Sequence, residues 1–320
     1  MRRLLAIVIP LVMIAVALPA TAQHYPTRPI EFIIPFATGG PTDTAIRIIQ
    51  PQLAANLGVP VVLVNKAGGG GAVGMDGVAK AKPDGYTLAA TVRSTVTILP
   101  ATQPDVTYKL ADFAVIGSYA FDSGVIFVKA GAPWKTLEEL VDHMKKNPGK
   151  VTYGSAGLGT NSYFNMELVQ QAYGVTLSHV PFGGSGPTKN AVLGGHVPVG
   201  AAALSAVLSV VRSGDIVALA TSATTRVPVI PNTPTMTEKG HPDASLSTWM
   251  EIYAPAKTPK PIVDRLSAAL EKTMKDPAVI AAVEKAGLTV GYHDPAATRA
   301  LIDRENEVVV RLAKKLNLGK

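Results

Sequence analysis

The sequence contains no cysteine and shows no metal-binding histidine motif. Without cysteine, neither a disulfide nor a cysteine-ligated zinc site can form. The six histidines, at 24, 143, 179, 196, 241 and 293, include no His-x-x-x-His pair of the kind that zinc hydrolases use. We therefore expect no metal and no cofactor.

Charged residues are also scarce, at 17% of the chain against the usual ~25%. The 30 basic residues exceed the 23 acidic ones but form no Lys/Arg block. A nucleic-acid partner is therefore not expected. The mild positive charge would steer anionic ligands weakly towards the protein.

Only the N-terminus carries a long apolar run. Met1-Arg2-Arg3 is basic, Leu4–Leu18 is apolar, and Ala20-Thr21-Ala22 has the small-x-small pattern of a cleavage site. The run is shorter than the roughly 20 residues that a bilayer core requires, and no cysteine follows it for a lipid anchor. Residues 1–22 are therefore predicted to be a secretory signal peptide that is removed before Gln23.

Two strand–loop–helix corners carry the most informative pattern. In the first corner, the apolar run Ile30–Ile34 predicts a strand, Phe36–Pro41 a Gly-Gly loop, and Thr42 or Asp43 the cap of a helix. Pro51 is expected to kink or interrupt that helix after Gln50. Unpaired N–H groups and the positive end of a helix dipole suit such a corner to an anion, although it also fits an ordinary βα turn.

The second corner repeats this design. Lys150–Tyr153 predicts a strand, Gly154–Gly159 a flexible loop, and Thr160 or Asn161 the cap of the next helix. One chain thus carries two candidate anion sites, about a domain's length apart.

Strands alternate with helices along the rest of the chain, which predicts an α/β fold with parallel or mixed sheets. The break at Asp122-Ser123-Gly124 is interpreted as the first crossing between domains, and Ala244–Trp249 as the return. The predicted domains are residues 23–123 plus 247–320, and residues 124–246. Ligands of such sheets bind outside the carboxyl ends of the strands, where both corners would lie.

Two enzyme-like patterns leave an alternative open. Gly69–Gly74 fits G-x-G-x-x-G, which would suit a dinucleotide-dependent oxidoreductase, but no acidic residue ends the next strand, Tyr86–Thr91. Ser155 lies in a run similar to a G-x-S-x-G hydrolase elbow, but Tyr153 replaces the first glycine. We therefore expect no catalytic residue, and a periplasmic enzyme is the alternative.

A series of motifs resembles the substrate-binding proteins of tripartite tricarboxylate transporters, also called the Bug or TctC-like family. The motifs are PFATGGPTD (35–43), LGVPVVLVNKAGGGGAVG (57–74), AKPDGYTL (81–88), YGSAGLGT (153–160), HVPFGGSGP (179–187), LGGHV (193–197), TSATTR (221–226), PNTPTM (231–236) and APAKTP (254–259). The resemblance implies a two-lobed periplasmic binding protein fold of type II with the ligand between the lobes. It also implies a monomeric periplasmic receptor that delivers a small organic carboxylate to the membrane subunits of a transporter; a receptor for a signalling sensor is a further alternative.

The expected ligand-binding residues come from the two corners, a third loop and one strand end. In the family the two loops grip one carboxylate, so the backbone N–H groups of Ala37–Gly40 and Ser155–Thr160 are the expected donors. Asp43 matches the family's acidic residue and is expected to cap the helix or contact the ligand. The full set is Phe36, Ala37, Thr38, Gly39, Gly40, Asp43, Arg93, Ser94, Ser155, Ala156, Gly157, Thr160, Asn161, Phe182 and Gly183.

Three further residues bear on the far end of the ligand. Arg93 follows the strand Tyr86–Thr91, and its guanidinium would suit a second carboxylate if it faced the cleft. Tyr163 and Phe164 could offer an aromatic wall. Together they predict a dicarboxylate or an aromatic acid.

Export is directly testable. Protein recovered from a periplasmic extract should have the intact mass of a chain that begins at Gln23. Recovery of a chain that retains Met1 would contradict the signal-peptide prediction.

Overall fold

The structure, a computed structural model, describes residues 25–36, 38–158 and 160–315. The predicted signal peptide and Ala37 lie outside the described residues. The strands are β1 (Ile30–Ile34), β2 (Val61–Asn65), β3 (Thr87–Val92), β4 (Phe113–Asp122), β5 (Gly124–Lys129), β6 (Thr152–Ser155), β7 (Ser178–Pro181), β8 (Val199–Ala203), β9 (Ile216–Thr221), β10 (Thr248–Pro255) and β11 (Thr289–His293). The α-helices are α1 (Pro41–Leu57), α2 (Ala72–Ala79), α3 (Ile98–Thr102), α4 (Leu137–Lys146), α5 (Asn161–Tyr173), α6 (Ser185–Leu193), α7 (Leu204–Arg212), α8 (Lys260–Met274), α9 (Pro277–Lys285) and α10 (Pro295–Lys315).

The strands form two mixed sheets, each the centre of one lobe. Lobe 1 is built on the order β11-β4-β10-β3-β1-β2, in which β1 runs parallel to β2 and β3 while β10 is antiparallel to both its neighbours. Lobe 2 is built on the order β7-β6-β8-β5-β9, in which β6 runs parallel to β7 and β8. The predicted α/β class with mixed sheets is therefore confirmed.

The chain crosses between the lobes twice. It leaves the lobe 1 sheet at Asp122 and enters the lobe 2 sheet at Gly124, with Ser123 between them. It leaves the second sheet at Thr221 and rejoins the first at Thr248. The two crossings run side by side, because Asp122 lies opposite Thr248 in the β4–β10 register.

Two helices begin after an aspartate that is followed by proline, a pattern typical of helix starts. The side chain of Asp276 accepts the N–H of Ala278 at 2.8 Å, and that of Asp294 accepts the N–H of Ala297 at 2.7 Å. Each of these carboxylates satisfies one of the unpaired donors at the start of a helix.

The prediction for α1 is wrong about the N-cap and about an interruption at Pro51. The N-cap is Gly40, not Thr42 or Asp43, because Pro41 occupies the first helical position, where its missing N–H costs nothing. The helix also continues past Pro51 to Leu57, since the buried residues Ile49 and Leu53 on either side pack into the lobe 1 core. This packing offsets the hydrogen bond that proline removes.

The lobes share an apolar contact in addition to the crossings. Ile98 of α3, together with Val309 and Leu312 of α10, packs in the same buried cluster as Phe164 and Leu168 of lobe 2. The last helix therefore joins the two lobes. No helix among the described residues is long and apolar enough to cross a membrane.

Close packing in lobe 2 gives a test of the fold. A Cβ at Gly200 would lie 2.4 Å from Cζ of Phe127, which is fully buried and opposite Gly200 in the β5–β8 register. Gly200→Ala should lower the free energy of unfolding by about 1–3 kcal/mol in urea denaturation. Gly186→Ala is the control, because a Cβ there meets no atom within 4 Å; equal stability of the two variants would contradict the packing.

Candidate functional site

A cavity of about 500 Å³ lies between the lobes, and both corners border it. Phe36 belongs to the first corner, Thr160 and Asn161 belong to the second, and Ser94 follows β3. The complete lining is Phe36, Gly70, Val92, Ser94, Leu99, Thr102, Gln103, Leu158, Thr160, Asn161 and Thr248. We call this cavity the interlobe cleft.

In the first corner, Asp43 holds the loop in place from inside. It is 1% exposed, and its Oδ2 accepts the N–H of Gly39 and the Nε of Arg47, both at 2.9 Å. Its Oδ1 accepts Nδ2 of Asn65 at 2.9 Å. These donors, with that of Arg47 the most important, lower the pKa of Asp43 to about 2. The N–H of Gly39, expected to bind the ligand, is therefore already donated to Asp43.

In the second corner, side-chain oxygens organise the loop. Thr160 caps α5 by accepting the N–H of Tyr163 at 3.4 Å, and its hydroxyl donates to the carbonyl of Gly157 at 2.7 Å. Ser162 accepts the N–H of Ala156 at 3.0 Å. Gly157 has φ +124°, which a side chain would strain. Of the two predicted caps, Thr160 and Asn161, Thr160 is the one that caps this helix.

Ser155 lies beneath this loop and does not line the cleft. It is fully buried, its Oγ lies 2.7 Å from Nε2 of His179, and it accepts the N–H of Gly157 at 3.2 Å. Burial lowers the pKa of His179, so its neutral ring can accept a hydrogen bond from the Ser155 hydroxyl. The serine–histidine contact resembles part of a hydrolase site, but a serine buried in this way cannot reach a substrate carbonyl.

The third loop supports the second corner from behind. The N–H of Phe182 donates to the carbonyl of Ser155 at 3.0 Å, and the Phe182 ring lies beside Gly154, where a Cβ would come within 2.8 Å of it. Gly183 is exposed. Neither Phe182 nor Gly183 is among the residues that line the cleft.

Arg93 does not face the cleft, contrary to the expectation from the sequence. It is 2% exposed; Nε and Nη2 donate to Oε1 of Glu251 at 2.8 and 2.5 Å, and Nη1 donates to Oε2 of Glu305 at 2.9 Å. Burial opposes its charge, but the two carboxylates outweigh burial and raise the pKa of Arg93. We therefore remove Arg93 from the ligand-binding set, while its neighbours Val92 and Ser94 do line the cleft.

The aromatic wall expected from Tyr163 and Phe164 is also wrong. Both side chains are buried in the core of lobe 2, at 7% and 0% exposure. The Tyr163 ring lies 4.8 Å from the ring of His179, which also contacts Tyr153 at 4.9 Å between ring centroids. Tyr153 and Tyr163 thus hold His179 in position under the second corner.

Sequence reasoning missed much of the far wall of the cleft. Leu99, Thr102 and Gln103 come from α3 and the residue after it, and Gly70 comes from the glycine-rich turn before α2. Gly70 has φ +66°, and a Cβ there would lie 3.5 Å from Leu99 and 3.9 Å from Gln103. The position of the glycine-rich turn after β2 could have indicated this wall, because ligands bind at the carboxyl ends of strands.

Known proteins share this architecture across nearly the whole chain. A family model described as "Tripartite tricarboxylate transporter family receptor" matches residues 45–318. Protein BugT of Bordetella pertussis is 34% identical over 95% of this chain and 94% of its own length. The chain superimposes on the structure of the periplasmic binding protein BugD with a TM-score of 0.76 and 31% identity, covering 92% of this chain and 100% of BugD.

A third similar protein was solved with a ligand. MatC from Rhodopseudomonas palustris, with bound malate, has a TM-score of 0.75 and 29% identity, covering 90% of this chain and 99% of MatC. These similarities confirm the two-lobed periplasmic binding protein fold that the resemblance implies.

The ion pair and the hydrogen bonds of Asp43 give a prediction for stability against pH. Lowering the pKa of a carboxyl from 3.8 to about 2 corresponds to ~2 kcal/mol of folding free energy. Because the folded-state pKa is the lower one, this contribution is complete above pH ~4 and is lost as the pH falls through about 2. Asp43→Asn should therefore be less stable near neutral pH and should lose less stability than the native chain on acidification.

Urea denaturation across the acid range measures this difference. Asp142→Asn, at an exposed position, is the matched control. A native-like acid profile in Asp43→Asn would contradict the assigned role.

Proposed function

We propose, because this chain belongs to the tripartite tricarboxylate transporter receptor family, that it captures a small organic carboxylate in the interlobe cleft and delivers it to a membrane transporter. The family and its solved members are solute-binding receptors and not enzymes. The observation that carries the proposal is that one cavity is bordered both by Phe36, in the loop that leads into α1, and by Thr160 and Asn161 at the N-terminus of α5.

The structure refines the set of expected donors. The N–H groups of Gly39, Ala156 and Gly157 are engaged within the loops. The proposed donors to the ligand are therefore the N–H groups of Thr38 and Gly40 and the backbone N–H of Asn161 at the start of α5, assisted by the helix dipoles. The engaged groups keep the loops in shape before the ligand arrives, which reduces the entropy cost of binding.

Asn161 has a second role in this proposal. Its Nδ2 donates to Oγ1 of Thr248 at 3.0 Å and to the carbonyl of Ser247 at 3.3 Å, so it joins the second corner to the return crossing. A ligand that contacts Asn161 would thereby act on the segment about which the lobes rotate. Closure by hinge motion, as in other two-lobed receptors, is the proposed response.

The ligand is proposed to be a di- or tricarboxylate or an aromatic acid. The malate bound to MatC supports an acid of this kind. The far wall offers hydrogen bonds from Ser94, Thr102 and Gln103 and apolar contact with Leu99, so neutral groups would recognise the far end of the acid.

The delivery partner is proposed to be the membrane subunits of a tripartite tricarboxylate-type transporter, with the receptor acting as a periplasmic monomer. The surfaces of the two lobes would have different relative positions in the open and closed states. This difference would let the transporter distinguish a loaded receptor from an empty one.

A thermal-shift screen against mono-, di- and tricarboxylates tests carboxylate binding. A ligand at 100 times its Kd should stabilise the protein by about 2.7 kcal/mol and raise its Tm by several degrees. Gly40→Val should abolish this shift, because the new side chain would project at the start of α1 where the anion approaches. The backbone at Gly40 has φ −74°, which valine tolerates.

Gly77→Val is the control, because Gly77 is exposed on α2 and a Cβ there meets no atom within 4 Å. If Gly40→Val binds as tightly as Gly77→Val, the first corner does not bind the carboxylate.

A further inference from the structure

Apolar side chains line the interlobe cleft from both lobes. Phe36, Val92 and Leu99 belong to lobe 1, whereas Leu158, in the loop of the second corner, belongs to lobe 2. An apolar part of a ligand in the cleft can therefore contact both lobes at once. Removal of that apolar surface from water would favour binding and closure together.

Leu158 is the most exposed large apolar side chain of the described residues, at 62%. A single exposed leucine on a protein surface needs no explanation, but this one lines a cavity. In the sequence it stands between Gly157 and Gly159, so the chain on either side carries no side chain that would shield it. Leu158 is thus accessible to a ligand and has apolar surface left to bury.

The charges around the cleft limit the ligand to one carboxylate. None of the described residues that line the cleft is charged, and Arg93 is turned to the other side of β3. Helix N-termini can hold one carboxylate, whereas a second one at the far wall would lose water and meet no cation. Ser94 and Gln103 suit a neutral hydroxyl instead, because each can both donate and accept a hydrogen bond.

The size and the walls of the cleft suit a ring. Its volume of about 500 Å³ lies within the ~300–1,000 Å³ range that is usual for small-molecule sites. The half-buried ring of Phe36 can pack against another aromatic ring by its edge or in an offset stack. Leu99 and Leu158 add aliphatic contact from the two lobes.

We propose that the ligand is an aromatic monocarboxylate with a neutral polar substituent, and that Leu158 is the specificity-determining residue that covers its ring when the lobes close. The carboxylate would lie between the two corners and the substituent at the far wall. This inference rests on the proposed carboxylate function and narrows its ligand class.

Three probe acids separate the ring from the charge. 4-Hydroxybenzoate has one carboxylate and a hydroxyl, terephthalate replaces that hydroxyl with a second carboxylate, and succinate is a diacid without a ring. Isothermal titration calorimetry at neutral pH measures the Kd of each acid. 4-Hydroxybenzoate should bind roughly tenfold or more tightly than either diacid, because each diacid brings a second charge without a partner.

Substitutions of Leu158 test its contact with the ring. Leu158→Ala should weaken 4-hydroxybenzoate binding roughly tenfold, because each buried methylene group strengthens binding about fourfold. Leu158→Met, which keeps an apolar side chain of similar size, should bind 4-hydroxybenzoate like the native chain. Val62→Ala is the matched control, since Val62 is also apolar and exposed, at 45%, but does not line the cleft.

A cation at the far wall should reverse the preference between the two aromatic acids. Gln103 is exposed and caps the C-terminus of α3, so Gln103→Lys suits the fold. It should favour terephthalate over 4-hydroxybenzoate roughly tenfold relative to the native chain, because the second carboxylate gains a partner. Ser209→Lys adds the same charge at an exposed position of α7 outside the cleft and should leave the ratio unchanged.

The outcomes distinguish this inference from the proposed function. The inference is overturned if terephthalate or succinate binds the native chain as tightly as 4-hydroxybenzoate. It is also overturned if Leu158→Ala binds 4-hydroxybenzoate as tightly as Val62→Ala, or if Gln103→Lys and Ser209→Lys give the same ratio. In each of these cases an acid still binds, so the carboxylate function stands. Absence of binding by every mono-, di- and tricarboxylate would overturn the function and this inference together.

Discussion

The ion cluster around Arg93 is the interaction on which the arrangement of lobe 1 depends. It ties the end of β3 to the central strand β10 through Glu251 and to α10 through Glu305. Removal of one partner from a buried pair leaves an uncompensated charge and typically costs about 3–5 kcal/mol, even where the pair itself adds little stability. The cluster therefore specifies one position for α10, and α10 in turn contacts the core of lobe 2.

The same cluster determines the chemistry of the interlobe cleft. With Arg93 turned to the other side of β3, the cleft is lined by uncharged side chains. In the proposed binding mode, helix termini and neutral hydrogen-bonding groups would recognise the acid, and no strong salt bridge would have to be broken for its release. Such an affinity would suit the proposed delivery of the ligand to a transporter.

Much of the fold could be predicted from the sequence because its local signals agree with its tertiary structure. The strand at Ile30–Ile34 follows from an apolar run, and the cap at Thr160 follows from a helix-start residue. The first crossing at residues 122–124 follows from a short break between strands. The sequence could not show on which side of the sheet Arg93 lies. That side depends on the alternation of side chains and on the partners Glu251 and Glu305, which are 158 and 212 residues away. The burial of Tyr163 and Phe164 could not be predicted for a similar reason, because the way α5 packs on lobe 2 determines which of its faces is buried. The role of Asp43 could not be predicted either: its position favours capping, but the N-cap is Gly40, and its acceptance of the Gly39 N–H depends on the loop geometry.

The position of β10 constrains the order in which the protein can fold. This strand lies between β3 and β4, yet it follows β4 in the chain by more than a hundred residues, and all five strands of lobe 2 come between. Lobe 2 is contiguous, so its sheet can form as soon as Thr221 is available. Lobe 1 must wait for residues 248–255, and until then its β3 and β4 edges remain unpaired and open to contacts with other chains. A newly made chain therefore passes through a stage in which the sheet of the later lobe is complete, while the sheet of the earlier lobe still lacks a strand from its middle.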